Sequence, residues 1–298
     1  MMIRAEHVWR KFGRFDALRG LDLSVPVGSA FALVGANGAG KTTTIKILMN
    51  ILEPTRGTAT VMGVDSVRLS PKELSRIGYV SENQKMPERL TVAEYLAYLR
   101  PFYPDWDRVL EASIVTDLGL PLDRRIRDLS HGMRMKMALA CALPFRPRLL
   151  VLDEPFSGLD PLIRDQFMEG LLRQGGDLTI LISSHELSEI EGVATHVGFV
   201  SRGRLKFQES MEGLSARMRQ VHVTLEEGAA APAAFPAEWV GARRVGNVLT
   251  FVDTQFSEDG LESRLRSLIG SARRIDVSSM PLRSIFTTLA SGAEDEVI

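Results

Sequence analysis

Gly35-Ala36-Asn37-Gly38-Ala39-Gly40-Lys41-Thr42 follows the apolar run Phe31-Ala32-Leu33-Val34 and opens a helical pattern from Thr43 to Leu52. This is the spacing GxxxxGK[ST] in the strand, loop and helix setting that its chemistry requires. Glycines let the backbone wrap close around phosphates, so that successive N–H groups and a helix N-terminus face the anion. Lys41 then falls on the β- and γ-phosphates and the Thr42 hydroxyl on Mg2+. Gly35, Asn37, Gly38, Ala39, Gly40 and Thr43 complete the candidate nucleotide-binding loop.

Working outward, Leu149-Leu150-Val151-Leu152 carries a second buried strand and releases Asp153 and Glu154 at its C-terminal end, where open α/β sheets bind ligands. Asp153 is placed to hold Mg2+ through water, and Glu154 to act as general base or to align an attacking water. In isolation Asp-Glu after a strand reads as a helix cap with a first-turn acid. A phosphate loop in the same chain favours the catalytic assignment. Guanine-specific switch GTPases use an Asn-Lys-x-Asp element, and none of Asn37, Asn50, Asn83 or Asn247 precedes a lysine. ATP is the expected nucleotide.

The 298 residues are 45% hydrophobic and 24% charged, with 36 Lys+Arg against 37 Asp+Glu and one cysteine. Disordered, collagenous and disulfide-rich classes are excluded, and a net charge of −1 argues against a dedicated nucleic-acid surface. No run reaches the roughly 18 apolar residues that cross a bilayer, and Met1-Met2-Ile3-Arg4-Ala5-Glu6 lacks the signature of a signal peptide. The expectation is a cytosolic protein whose membrane attachment comes from a partner. Cys141, in an apolar helical stretch, reads as a small core residue.

To about Gln208, unbroken apolar runs such as Leu178-Thr179-Ile180-Leu181-Ile182 and Val197-Gly198-Phe199-Val200 alternate with helical patterns. They predict an α/β fold with a central, largely parallel sheet. Val92, Tyr95, Leu96 and Leu99 recur at helix spacing within an insertion between Thr91 and Phe145. Beyond Gln208 come a helical linker (Met211 to Met218), strands at Val221–Leu225, Val248–Val252 and Arg274–Val277, and helices at Gly260–Ile269 and Leu282–Leu289. The expected domains are residues 1–210, with a helical subdomain at about 83–145, and a small α+β domain at 211–298. A frayed tail is expected from Ala293 to Ile298.

Leu129-Ser130-His131-Gly132-Met133 lies upstream of the Asp153 strand and opens a helix, a setting in which Ser130 and the Gly132 N–H meet an anion. It resembles the LSGGQ signature of the ATP-binding cassette (ABC) ATPases. The other motifs of that family follow in order. Phe12 resembles the aromatic that stacks on adenine, Ser157-Gly158-Leu159-Asp160 the loop that crosses the dimer interface, and His185 in Ser183-Ser184-His185-Glu186 the switch histidine on the γ-phosphate. The resemblance runs from Ile3 to about Gln208 and implies a P-loop NTPase fold of the ABC type. It also implies that Ser130 and Gly132 cap a nucleotide held by the opposite subunit. Three positions depart from the pattern. Glu82 stands where the family has a glutamine that contacts Mg2+ or the lytic water, and His131 and Met133 replace a glycine and a glutamine of the signature.

Only about ninety positions separate Lys41 from Ser130, which leaves no room for the long coiled coil of SMC-type ATPases, and there is no tandem cassette. The segment Phe102 to Asp107, with Glu82 and Met133, looks like bacterial ABC-2 exporter cassettes. That likeness implies the ATP-hydrolysing subunit of an exporter, peripheral on the inner face of the cell membrane. Its partners would be a separate transmembrane permease and a second cassette, identical or not, with no nucleic acid. Tyr95, Tyr98, Tyr103 and Trp106 lie in the region where the family receives its permease. The alternative from another class is a soluble ABC-type ATPase that clamps nucleic acid or protein.

Overall fold

The computed structural model describes residues 1–82, 84–156, 164, 178–226, 235–269 and 272–294. They fall into two compact units, Met1–Gln208 and Glu209–Ile298.

The first unit carries two sheets. β1 (Ile3–Phe12), β2 (Phe15–Val25), β4 (Arg56–Val61) and β5 (Val64–Asp65) form an antiparallel sheet in the order β2-β1-β4-β5. The second runs β10-β9-β3-β8-β7-β6, from β10 (Arg204–Ser210) and β9 (His196–Ser201) through β3 (Ala30–Val34), β8 (Thr179–Ser184) and β7 (Leu149–Asp153) to β6 (Ile77–Ser81). Its pairs β9/β3, β3/β8, β8/β7 and β7/β6 are parallel.

The unbroken apolar runs follow from two cores, one on each face of this sheet. Leu150, Leu152, Ile180 and Ile182 enter the core built with the helices of the insertion. Their alternates Phe31, Leu33, Leu149, Val151 and Leu181 enter the core shared with α1 (Lys41–Leu48) and the antiparallel sheet. Alternate side chains of a strand face opposite sides, so each position here meets apolar neighbours.

The antiparallel sheet is not foreshadowed by simple alternation, because charges and a bulge interrupt β1. Register shifts between Ala5 and Val8, where His7 has φ 48°. A β-carbon on Gly57 would stand 2.2 Å from the His7 carbonyl oxygen, so β4 passes this bulge only with glycine. α1 is shorter than its helical pattern, stopping at Met49 before Asn50 turns left-handed at φ 56°.

The insertion holds α3 (Val92–Leu99), α4 (Arg108–Asp117) and α5 (His131–Ala142), which follow the short α2 (Pro71–Leu74). Thr91 and Glu94 form a reciprocal capping box on α3, and Asp107 accepts from the Val109 and Leu110 amides to cap α4. Glu111, buried on α4, accepts two hydrogen bonds from Arg100 at 2.9 and 2.7 Å and one from Trp106 Nε1 at 2.6 Å. That charge is satisfied and holds Trp106 in the core, beside Tyr103 stacked at 4.0 Å on Phe145. Cys141 is buried in the same core.

The second unit is an antiparallel sheet in the order β12-β13-β11-β14, made of β11 (Arg219–Leu225), β12 (Trp239–Val245), β13 (Val248–Asp253) and β14 (Ala272–Ser279). Helices Met211–Arg217, Glu258–Ile269 and Leu282–Glu294 accompany it, so helix takes in Ala293 and Glu294 of the tail expected to fray, and the rest of that tail lies outside the described residues. β12 escapes a search for alternation because Gly241 sits at φ 64° and the register shifts between Val240 and Arg243. Val221, Val223, Leu225, Trp239, Leu249, Phe251, Leu261 and Leu265 form the core, with Trp239 and Phe251 stacked at 4.0 Å. Phe251→Ala should destabilise this unit by about 3–5 kcal/mol, as fully buried phenylalanines do. Chemical denaturation followed by tryptophan fluorescence checks it, and a loss below about 1 kcal/mol would contradict the packing described.

Candidate nucleotide-binding site

Parallel β3, β7 and β8 are neighbours, so the loops at their C-terminal ends meet. From β3 comes the glycine-rich loop. Gly40 has φ 115°, and a β-carbon there would approach Leu18 Cδ2 to 2.7 Å and the Ala17 carbonyl oxygen to 3.0 Å. Only glycine lets the loop tuck under β2 and start α1 with its amides open.

Lys41, 4% exposed, folds back over this loop. Its ammonium donates to the carbonyl oxygens of Gly35 at 2.6 Å and Ala36 at 3.3 Å and pairs with Glu154 Oε1 at 3.0 Å. Glu154 holds φ 54°, an unusual conformation for a non-glycine residue, and its amide donates to Ser183 Oγ at 3.0 Å. Its other carboxylate oxygen meets His185 Nδ1 at 2.7 Å. Glu154 thus bridges the loop lysine and the histidine that follows β8.

Beneath it, Asp153 Oδ1 accepts from Thr42 Oγ1 at 3.0 Å and from Ser183 Oγ at 2.7 Å. Burial raises the Asp153 pKa, the two hydroxyl donors pull against that rise, and neighbouring Glu154 adds to it. Ser183 therefore ties both carboxylate positions to β8. It lies in the quoted Ser183-Ser184-His185 stretch, and its hydroxyl at a strand end beside two acids was the available signal.

Phe12, Asn37, Gly38, Gly40, Lys41, Thr42, Thr43, Glu82 and Glu154 line one cavity of about 410 Å3, together with Phe15 and Ala17. Phe12 is 44% exposed and pairs across the β1–β2 turn with the exposed Phe15. The Arg10 guanidinium lies 4.7 Å from its ring centroid, covering one face. Phe15 carries no motif signal; only its position opposite Phe12 brings it to the cavity.

Ser130 and Gly132 do not line this cavity. Ser130 Oγ accepts from the Met133 amide at 3.3 Å and caps α5. His131 instead lines a cavity of about 500 Å3 with Arg134, Ser81 and Glu82, so Glu82 borders both cavities. Asp160, with the rest of the Ser157–Asp160 motif, lies outside the described residues.

The ABC transporter family profile matches residues 18–157. The bacitracin transport ATP-binding protein BcrA of Enterococcus faecalis is 32% identical over 225 residues, covering 74% of this chain and 72% of BcrA. The chain belongs to the ABC transporter ATP-binding proteins. This cassette is also 31% identical over 237 residues to the probable multidrug ABC transporter ATP-binding protein YbhF of Escherichia coli, a match covering 76% of the cassette and spanning 40% of YbhF's length. A solved ATP-binding subunit of an ABC transporter superposes with a TM-score of 0.66 at 26% identity, over 72% of the cassette and 92% of that chain. The fold is the P-loop NTPase arrangement of ABC ATPases. No helix among the described residues is long and apolar enough to cross a membrane.

The His185 pKa lies above its ordinary value, chiefly through the hydrogen bond to Glu154, with partial burial opposing and the charges of Glu154 and Glu189 assisting. This contact contributes stability that is fully present below the unfolded histidine value of about 6.5 and is lost as pH rises through the higher folded value. The stability gap between the parent cassette and His185→Gln should therefore be larger in mildly acidic than in alkaline buffer. Denaturant titrations of both proteins across that window measure it, and a gap that widens with rising pH would contradict the pairing.

Proposed function

We propose that this cassette binds and hydrolyses ATP to energise a separate membrane permease, as part of an exporter. The observation that carries the proposal is the convergence of Lys41, Thr42, Glu82 and Glu154 on one cavity, with Asp153 and His185 bonded directly to that group.

The donor set fits Mg2+. Thr42 hydroxyl and the Asp153 carboxylate are already in contact, and Glu82 adds a hard oxygen on the same cavity. When bound, Mg2+ would neutralise charge developing on the β- and γ-phosphates.

The chain's own groups supply the rest. The loop amides of Asn37, Gly38, Gly40 and Thr43 cradle the phosphates, those of Gly35 and Ala39 being held by the Ser184 and Ala36 carbonyl oxygens, and Phe12 offers its uncovered face to adenine. Phosphate oxygens compete with Glu154 for Lys41, so nucleotide binding frees the carboxylate to accept a proton from water. Water then attacks the γ-phosphorus, the β–γ bridging bond breaks, and ADP and phosphate form. His185 orients Glu154 from one side and donates to the γ-phosphate from the other.

Ser130 and Gly132 stand apart from the Lys41 cavity, which supports a site completed by a second cassette, the same chain or another, across two sandwiched nucleotides. Asp160 belongs to the same interface by its motif. The cassette would act at the inner face of the cell membrane, with residues 1–210 as the nucleotide-binding domain, its helical subdomain at about 83–145, and 211–298 as an accessory domain. The names of YbhF and BcrA, which state multidrug and bacitracin transport, support export. The test is affinity purification of the tagged chain from detergent-solubilised native membranes. A stoichiometric polytopic membrane protein is expected. A soluble protein or nucleic acid in its place would move the clamp hypothesis to the front.

A further inference from the structure

β14 is the edge strand of the C-terminal sheet, and among the described residues it pairs only with β11. Ile275 and Val277 lie opposite Val223 and Val221, on the core side of the sheet. Arg274 and Asp276 lie opposite Thr224 and His222, on the other face, with side chains 72% and 48% exposed and joined at 2.8 Å.

Charged residues on an edge ordinarily block pairing with another strand. This edge does so selectively. If it meets a copy of itself antiparallel with matching faces, the two-fold axis must pass through a residue, because side chains alternate. An axis through Arg274 sets Arg274 against Arg274, and one through Asp276 sets Asp276 against Asp276, both repulsive. An axis through Ile275 sets each Arg274 against the other copy's Asp276 and brings the two Ile275 side chains together on the core face. Among these three registers the charges oppose two and favour one.

We propose that β14 pairs with β14 of a second copy of this chain about a two-fold axis through Ile275, joining the two C-terminal sheets into one. The contact is independent of nucleotide and adds to any association of the cassettes. A strand pair of this length is smaller than the roughly 1,200–2,000 Å2 of a stable free-standing interface, so it is best read by cross-linking rather than by mass.

Directly opposed residues of antiparallel strands have Cα atoms about 4.5–5.5 Å apart, within disulfide reach. Full-length Ile275→Cys, without nucleotide and under mild oxidation, should give a disulfide-linked dimer. Val277→Cys should not, because in this register the two Val277 positions lie four residues apart, about 13 Å along the strands. Cys141 is buried, and the parent chain serves as its control. Placed in the Ile275→Cys background, Arg274→Asp and Asp276→Arg should each lose most of the dimer, since each leaves like charges opposed. Mixing the two should restore it, because the strand with Asp at both 274 and 276 then faces the strand with Arg at both. Rescue by mixing cannot come from the bond between Arg274 and Asp276 within one chain, which both variants lack. Both residues are exposed, and unchanged circular dichroism would verify the fold. Absence of the Ile275→Cys dimer, an equal yield from Val277→Cys, a disulfide to a different protein, or charge reversals without effect would each overturn the proposal. None of these readouts involves ATP, so failure of the ATPase assignment would leave this test intact.

Discussion

Glu154→Gln should still bind Mg-ATP, turn it over about 10²–10⁴-fold more slowly, and accumulate as an ATP-dependent dimer. The amide keeps the volume of the carboxylate and can still accept from Lys41, but it cannot take a proton from water at neutral pH. Glu154 is placed by more than sequence adjacency: the amide bond to Ser183, the left-handed backbone and the contacts to Lys41 and His185 all hold it. Slow hydrolysis with unimpaired binding leaves the nucleotide trapped between subunits. Phosphate release and sedimentation with and without ATP measure the two effects. Hydrolysis at the parent rate would remove Glu154 from the base role.

Lys41→Ala should lose affinity for Mg-ATP by about 10- to 100-fold, in line with the roughly 1.5–3 kcal/mol of a hydrogen bond to a charged group. The remaining loop amides are neutral donors around a polyanion. The substitution also leaves Glu154, with only 14% of its side chain exposed, without its ammonium partner. Breaking such a pair is costly, so some loss of stability accompanies the loss of binding. Fluorescent nucleotide titration reads affinity, and denaturation run alongside separates the two effects. Undiminished affinity in a folded variant would contradict the placement of Lys41.

The site was legible wherever chemistry demands a local pattern. The phosphate loop, Asp153 and Glu154, and His185 all follow apolar strands, and the strands could be read because both faces of the parallel sheet are covered. What escaped depends on contacts distant in sequence. Phe15 reaches the cavity only through the β1–β2 hairpin, and the Ser183 bonds exist only because β7 and β8 are neighbours. β12 and the bulge at His7 were hidden because positive φ values and register shifts break the period-two pattern. Family resemblance supplied what a single chain could not, the role proposed for Ser130 toward another subunit's nucleotide.

That last assignment is central and can be tested by mixing two inactive variants. Lys41→Ala lacks the phosphate lysine, while Ser130→Arg blocks the surface offered to a partner. If the sites are shared between copies, a hybrid dimer holds one intact site, with Lys41 from one chain and Ser130 from the other. Phosphate release from Mg-ATP should then return when the two proteins are combined. A mixture as inactive as its components would contradict the shared site.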